Sequence, residues 1–109
     1  MAFSEDLAER IRQQLAGLKN IEEKKMFGGV GFLLNGNMLV GVWKDSLIVR
    51  LGQDDGDEAL KEPHVREFDI TGRPMKGWVL VAPEGVEDAG QVKAWIQWAV
   101  KLVGKLPAK

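Results

Sequence analysis

The sequence predicts an α+β domain with a mainly antiparallel sheet and the element order α-β(3)-α-β(2)-α. Three observations carry this. An amphipathic helical pattern stands at each end of the chain. Asn35-Gly36 sits between two apolar runs, which is a strong short-range hairpin signal. The runs that follow are joined by turns too short for a crossover, so consecutive strands must pair antiparallel.

The first helix is expected over residues 4–18. Ser4 suits its N-cap, and Glu5 and Asp6 place negative charge in the first turn, where the helix dipole favours it. Leu7, Ile11, Leu15 and Leu18 recur at helical spacing and form one apolar face. Gly17 and Asn20 lie where such a helix stops. In "VGFLLNGNMLVGVW", strands of roughly 30–34 and 38–43 flank Asn-Gly, which supplies positive φ at both centres of a type I′ turn. Lys44-Asp45-Ser46 turns the chain into a third strand near 47–51. A short helix is expected near 57–61, stopped by Pro63. "VREFDI" and "GWVLVAP" read as the last two strands, with "TGRPMK" between them. The C-terminal helix carries an apolar stripe of Val92, Trp95, Ile96, Ala99, Val100 and Val103.

A chain of 109 residues is one domain with a single core. The net charge of −1 lacks the strong basic excess usual in nucleic-acid domains, although a local basic patch stays open. The absence of cysteine excludes disulfides, thiolate metal sites and cysteine nucleophiles, and the single His64 excludes a multi-histidine metal site. "MAFSEDLAER" does not read as a signal peptide, and no apolar run approaches a membrane span. A cytoplasmic protein with no membrane partner and no cofactor is expected.

The stretch "KKMFGGVGF" raises the main functional question, because glycines beside lysines can cradle phosphate or merely bend the backbone. A dinucleotide fingerprint would need a third glycine at position 34, which is Leu, and a helix next, where a hairpin is read. No Walker lysine follows. Gly28 and Gly31 match a GXXG loop, but that loop should join two helices. The preferred reading is a bend at Gly28-Gly29, with Gly31 allowing close packing. The acidic run Asp54, Asp55, Asp57 and Glu58 lacks the ligand spacing of a calcium loop. Ser4 and Ser46 are the only serines and read as a cap and a turn residue, so no nucleophile stands out.

"KKMFGGVGFLLNGNML" and "RPMKGWVLV" together resemble the TfoX N-terminal domain family. The matching positions are Lys25, Met26, Phe27, Gly28, Gly29, Gly31 and Phe32, then Arg73, Pro74, Met75, Gly77 and Trp78. The similarity covers about residues 4–103. It implies a two-layer α/β sandwich, similar to the secretion-chaperone-like fold. It also implies a link to regulators that promote competence-gene expression together with the cyclic-AMP receptor protein. Longer members add a C-terminal domain of helix-hairpin-helix character, and the 109 residues here are expected to stand alone as one domain. The family carries over no settled catalytic residues.

The expected function is therefore a non-enzymatic regulatory or protein-interaction module. The alternative is a small-ligand or nucleic-acid binder that uses a basic cluster. The residues expected to meet a partner are Lys25, Phe27, Gly28, Gly29, Trp43, Arg50, Arg73, Met75, Lys76 and Trp78. Lys25, Arg50, Arg73 and Lys76 would form the basic cluster. Both faces of the strands read as apolar, and Leu33, Leu39, Trp43 and Ile48 are expected on the face away from the helices. An open apolar face favours an interaction, with a homodimer as the most available form.

Overall fold

The computed structural model describes residues 4–26, 28–68 and 77–107. The elements in order are α1 (Glu5–Leu15), β1 (Ile21–Met26), β2 (Gly29–Leu34), β3 (Asn37–Trp43), β4 (Ser46–Arg50), α2 (Gln53–Ala59), β5 (Val65–Glu67), β6 (Trp78–Val81), a 3₁₀ turn (Pro83–Gly85) and α3 (Ala89–Val103). The strands form one six-stranded antiparallel sheet in the order β1-β2-β3-β4-β6-β5. Leu7, Ile11, Val92, Ile96 and Ala59 share one core with Val30, Phe32, Val40, Val42, Val49 and Val79. All three helices thus pack on the same side of the sheet, and the molecule is the expected α+β two-layer sandwich.

Local chemistry explains most boundaries. The Leu7 N–H donates to Ser4 Oγ at 3.2 Å, which makes Ser4 the cap of α1. The helix ends at Leu15, earlier than the spacing predicts, because the chain turns through Ala16 and Gly17. Leu18 consequently leaves the apolar face and is 39% exposed. Asp88 and Gln91 form a reciprocal capping box at the start of α3, and Val92, Ile96, Ala99 and Val103 are buried along its predicted stripe. The helix after β4 begins at Gln53 rather than near 57. Its Gly56 costs helix propensity, but a Cβ there would lie 3.1 Å from Gly77 Cα, so close approach to the entry of β6 accounts for the residue.

The hairpin prediction holds, with Asn35 at φ 54° and Gly36 at φ 82° joining Leu34 to Asn37. Two expectations fail nearby. The chain has a further strand, β1, joined to β2 by a two-residue turn that pairs Met26 with Gly29. In addition, β3 carries a bulge. Phe32 pairs with Val40 and Leu33 with Met38, which leaves Leu39 without a partner opposite. The extra residue turns Leu39 into the helix-side core, where it is fully buried. Asn37, just before the bulge, is also buried, and its Nδ2 donates to the Pro107 carbonyl at 2.9 Å.

An edge-to-helix clamp fixes β1. Arg12 Nε and Nη2 each donate to a Glu23 carboxylate oxygen at 2.8 Å, and Glu9 accepts from Nη1 at 3.2 Å. The bond from Arg12 holds the Glu23 carboxyl below its ordinary range. Both side chains keep more than a third of their surface in solvent, so the pair contributes below about 1 kcal/mol. A group lowered in the folded state adds stability above its unfolded pKa and loses it as pH falls through the folded value. Wild type should therefore lose slightly more stability than Glu23→Gln as pH falls below about 4.3, the ordinary glutamate value; chemical denaturation at neutral and acidic pH measures this. Separately, Gly36→Val places a β-branched residue at positive φ and should cost about 1–2 kcal/mol. An unchanged melting temperature would contradict the turn.

Candidate functional site

The register sorts every strand residue to one of two faces. Val30, Phe32, Val40, Val42, Leu47, Val49, Val79 and Val81 point towards the helices. The alternate residues lie on a face that carries no helix. Gly31 pairs with Gly41, Gly41 with Ile48, Ile48 with Leu80 and Leu80 with Arg66. Lys24 pairs with Gly31 at the other end of the same row.

This face has its own small apolar cluster. Ile48, Leu80 and Phe68 are buried, with half-buried Trp43 and Trp78 packed against them. The Phe68 and Trp78 rings are tilted at 33°, with centroids 6.0 Å apart. The Arg50 guanidinium lies 5.3 Å from the centroid of Trp78, and Lys44 Nζ lies 4.7 Å from that of Trp43. Each indole therefore has a cation against its ring. Arg50 stands directly across the β4–β6 pair from Trp78, which accounts for that contact.

The distribution of charge is uneven. Lys24, Arg50 and Arg66 belong to this face by register, and Lys44 joins them through its contact with Trp43. Among the described strand residues, Glu22 is the only acid on it, and Lys24 sits 3.5 Å from that carboxylate. In a protein of net charge −1, Lys44 and Arg50 thus lie against the two tryptophans, while Lys24 sits at the far edge beside Glu22.

The sequence-predicted residues divide accordingly. Trp43, Arg50 and Trp78 do come together on the helix-free face. Lys25 pairs with Val30, so it projects on the helix side, opposite Arg50. A single basic site holding both does not form. The reason is the unforeseen β1 strand, whose alternation sends Lys24, not Lys25, to the open side. Phe27, Arg73, Met75 and Lys76 lie outside the described residues. Leu39 and Ile48, expected on an open apolar face, are each fully buried, while Leu33 and Trp43 remain half-buried. Lys44, Arg66 and Phe68 were not anticipated. The signal for Arg66 was its alternation with Val65 in "VREFDI"; Lys44 required the turn geometry.

Gly28 and Gly29 each meet a backbone requirement. Gly28 has φ 77° in the β1–β2 turn. A Cβ on Gly29 would lie 1.9 Å from the Val42 carbonyl oxygen, so glycine there permits the approach of β3. Among the described residues the surface also carries two hollows elsewhere. A cleft of about 230 Å³ lies between α1 and α3, lined by Gln14, Leu18, Lys93, Ile96, Gln97 and Val100. A recess of about 310 Å³ lies beside β1, where Leu15, Leu18, Ile21 and Phe32 meet the Arg12–Glu23 pair. Among the described residues, no group of three or more potential metal-binding side chains comes together, and no helix is long and apolar enough to cross a membrane.

The family model of the TfoX N-terminal domain matches residues 13–102. The chain belongs to the TfoX N-terminal domain family. The match runs from within α1 to the last turn of α3 and includes every strand, so the helix-free face lies wholly inside the family domain. No curated protein and no solved structure matches the chain.

Gly28 in the β1–β2 turn and Gly29 at the start of β2 should respond differently to alanine. Gly28→Ala has space for its methyl group but an unfavourable φ, and should cost about 1–2 kcal/mol. Gly29→Ala must push β2 from β3 and should cost about 3 kcal/mol or more. Thermal unfolding of both variants, with and without millimolar phosphate, tests the backbone reading. Phosphate that stabilises wild type but not Gly28→Ala would restore the anion-cradle reading.

Proposed function

We propose that this chain is a non-enzymatic regulatory module that acts by binding a protein partner through the helix-free face of its sheet. Membership of the TfoX N-terminal domain family supports a regulatory role related to competence. The observation that carries the binding mode is the pair of half-buried tryptophans, each with a cation against its ring. Tryptophan and arginine are enriched at the energetic centres of protein interfaces, where tryptophan buries a large area and arginine offers several hydrogen-bond donors. The excess of lysine and arginine around them suits an acidic partner surface.

The nucleophile inventory supports a role without catalysis. Ser4 is committed to capping α1, and Ser46 is buried at the start of β4 opposite Trp43. His64 is exposed, sits at φ 68°, and its carbonyl accepts from the Ala82 N–H.

The same aromatic and basic composition has a second reading, since bases of single-stranded nucleic acid stack on tryptophan beside cations. The two are separated by one set of variants. Immobilised wild type should retain a protein from host extract, and Trp78→Ala or Arg50→Glu should weaken that capture by about 2 kcal/mol, the scale of an interface hot spot. Both variants should keep wild-type circular dichroism. Quenching of tryptophan fluorescence by a single-stranded oligonucleotide, falling steeply with salt and lost in the same variants, would transfer the function to nucleic acid.

A further inference from the structure

Among the described residues nothing pairs with the outer edge of β1, which carries two acids followed by two bases. β1 terminates the sheet, and Glu22, Glu23, Lys24 and Lys25 are all exposed. The Met26–Gly29 pair closes the turn, and the Asn35 N–H donates to the Asn20 carbonyl at 3.0 Å in the same register. Even-numbered residues therefore spend their backbone groups on β2, and the N–H and C=O of Ile21, Glu23 and Lys25 point away from the sheet. Among the described residues nothing pairs with them.

Charges on an edge strand ordinarily prevent pairing with other chains. The order acid-acid-base-base has one exception. When a second copy is laid antiparallel about Glu23, Glu22 of each strand stands opposite Lys24 of the other. From this we infer that β1 is a self-recognition edge, and that two copies join through it into one continuous twelve-stranded sheet.

The pairing register follows from the outward groups. Placing the two-fold axis at Glu23 sets Ile21 against Lys25 of the other copy and lets all three outward residues bond. On the helix-free face it sets Glu22 directly against Lys24, twice by symmetry. On the helix side the two Glu23 carboxylates approach each other. Like charges opposite one another are unfavourable, but each is already held bidentate by its own Arg12 at 2.8 Å. Each Glu23 at the axis thus keeps its own Arg12 as partner, an arginine that Glu9 and Glu5 also contact. Two apolar features adjoin this edge: Leu18, the one exposed large hydrophobic side chain among the described residues, and the recess beside Ile21 and Phe32. Residues opposed across an antiparallel pair share a face, so the dimer sets both helix-free faces on one side. The inference stands independently of the partner proposed above for that face.

Charge swaps at positions 22 and 24 test it, because neither residue touches the core. Sedimentation velocity from micromolar to millimolar concentration should show wild type in monomer–dimer exchange. Lys24→Glu and Glu22→Lys each convert both cross-strand pairs to like charges, and each should weaken dimerisation by about tenfold or more. Mixing the two variants should restore a heterodimer, since each then offers the charge the other needs. The double variant Glu22→Lys/Lys24→Glu should dimerise like wild type. A monomer at every concentration overturns the inference. So does a dimer indifferent to the single swaps, or one that mixing fails to restore.

Discussion

Register in the sheet is the constraint on which the rest of the molecule depends. Side chains alternate with a period of two, so a slip of one residue would carry Phe32, Val42 and Val49 into solvent and bring Arg50 and Lys24 under the helices. Several short turns hold the register. Gly28, Asn35-Gly36 and Lys44 all take positive φ, and each lies in a connection that leaves its neighbouring strands one possible alignment. The bulge at Leu39 is a local exception within that frame. It moves one more large apolar side chain onto the helix side and turns Met38 to the other, with its Cε 2.8 Å from where a Gly41 Cβ would stand. The paired Gly31 and Gly41 therefore leave a floor that Met38 partly fills.

The legible parts of the fold were those in which local chemistry and tertiary need coincide. Asn35-Gly36 demands a hairpin whatever surrounds it, and the stripe from Val92 to Val103 demands a helix with one buried side. β1 was not legible because an edge strand in this position has little to bury. "IEEKKM" shows neither apolar alternation nor a turn signal that differs from a simple bend. Leu39 was misplaced because strict alternation cannot reveal an inserted residue. The extent of α2 was hidden because its mid-helix Gly56 answers to Gly77, more than twenty positions away along the chain, and not to helix propensity.

The candidate site was legible to the same degree. Trp43, Arg50 and Trp78 follow from alternation within strands that the sequence announces. The basic contribution was assigned one residue out of step, to Lys25 in place of Lys24, because the turn that sets β1 alternation involves Gly28 in a role any loop glycine could play. A contact such as Lys44 over Trp43 belongs to a turn whose geometry depends on both strands it joins. Such contacts are invisible until the pairing is known.

The two faces of the sheet are stabilised by different physics, and that difference bears on function. On the helix side, one continuous apolar core lies between sheet and helices, with Ile21, Leu60, Val65, Trp95, Trp98 and Val100 half-buried at its margins. On the other side, Ile48 and Leu80 are covered in part by large amphipathic side chains that carry their polar or cationic ends outward. A surface of that kind is stable in water yet still offers tryptophan rings whose remaining exposure a partner can remove. In the proposed binding mode the cations would serve both conditions, lying against the rings in the free protein and pairing with acidic side chains on contact. The charged edge of β1 follows the same economy in one dimension. Its lysines and glutamates are all exposed and guard the edge against indiscriminate pairing, and the proposed self-pairing would place Glu22 against Lys24.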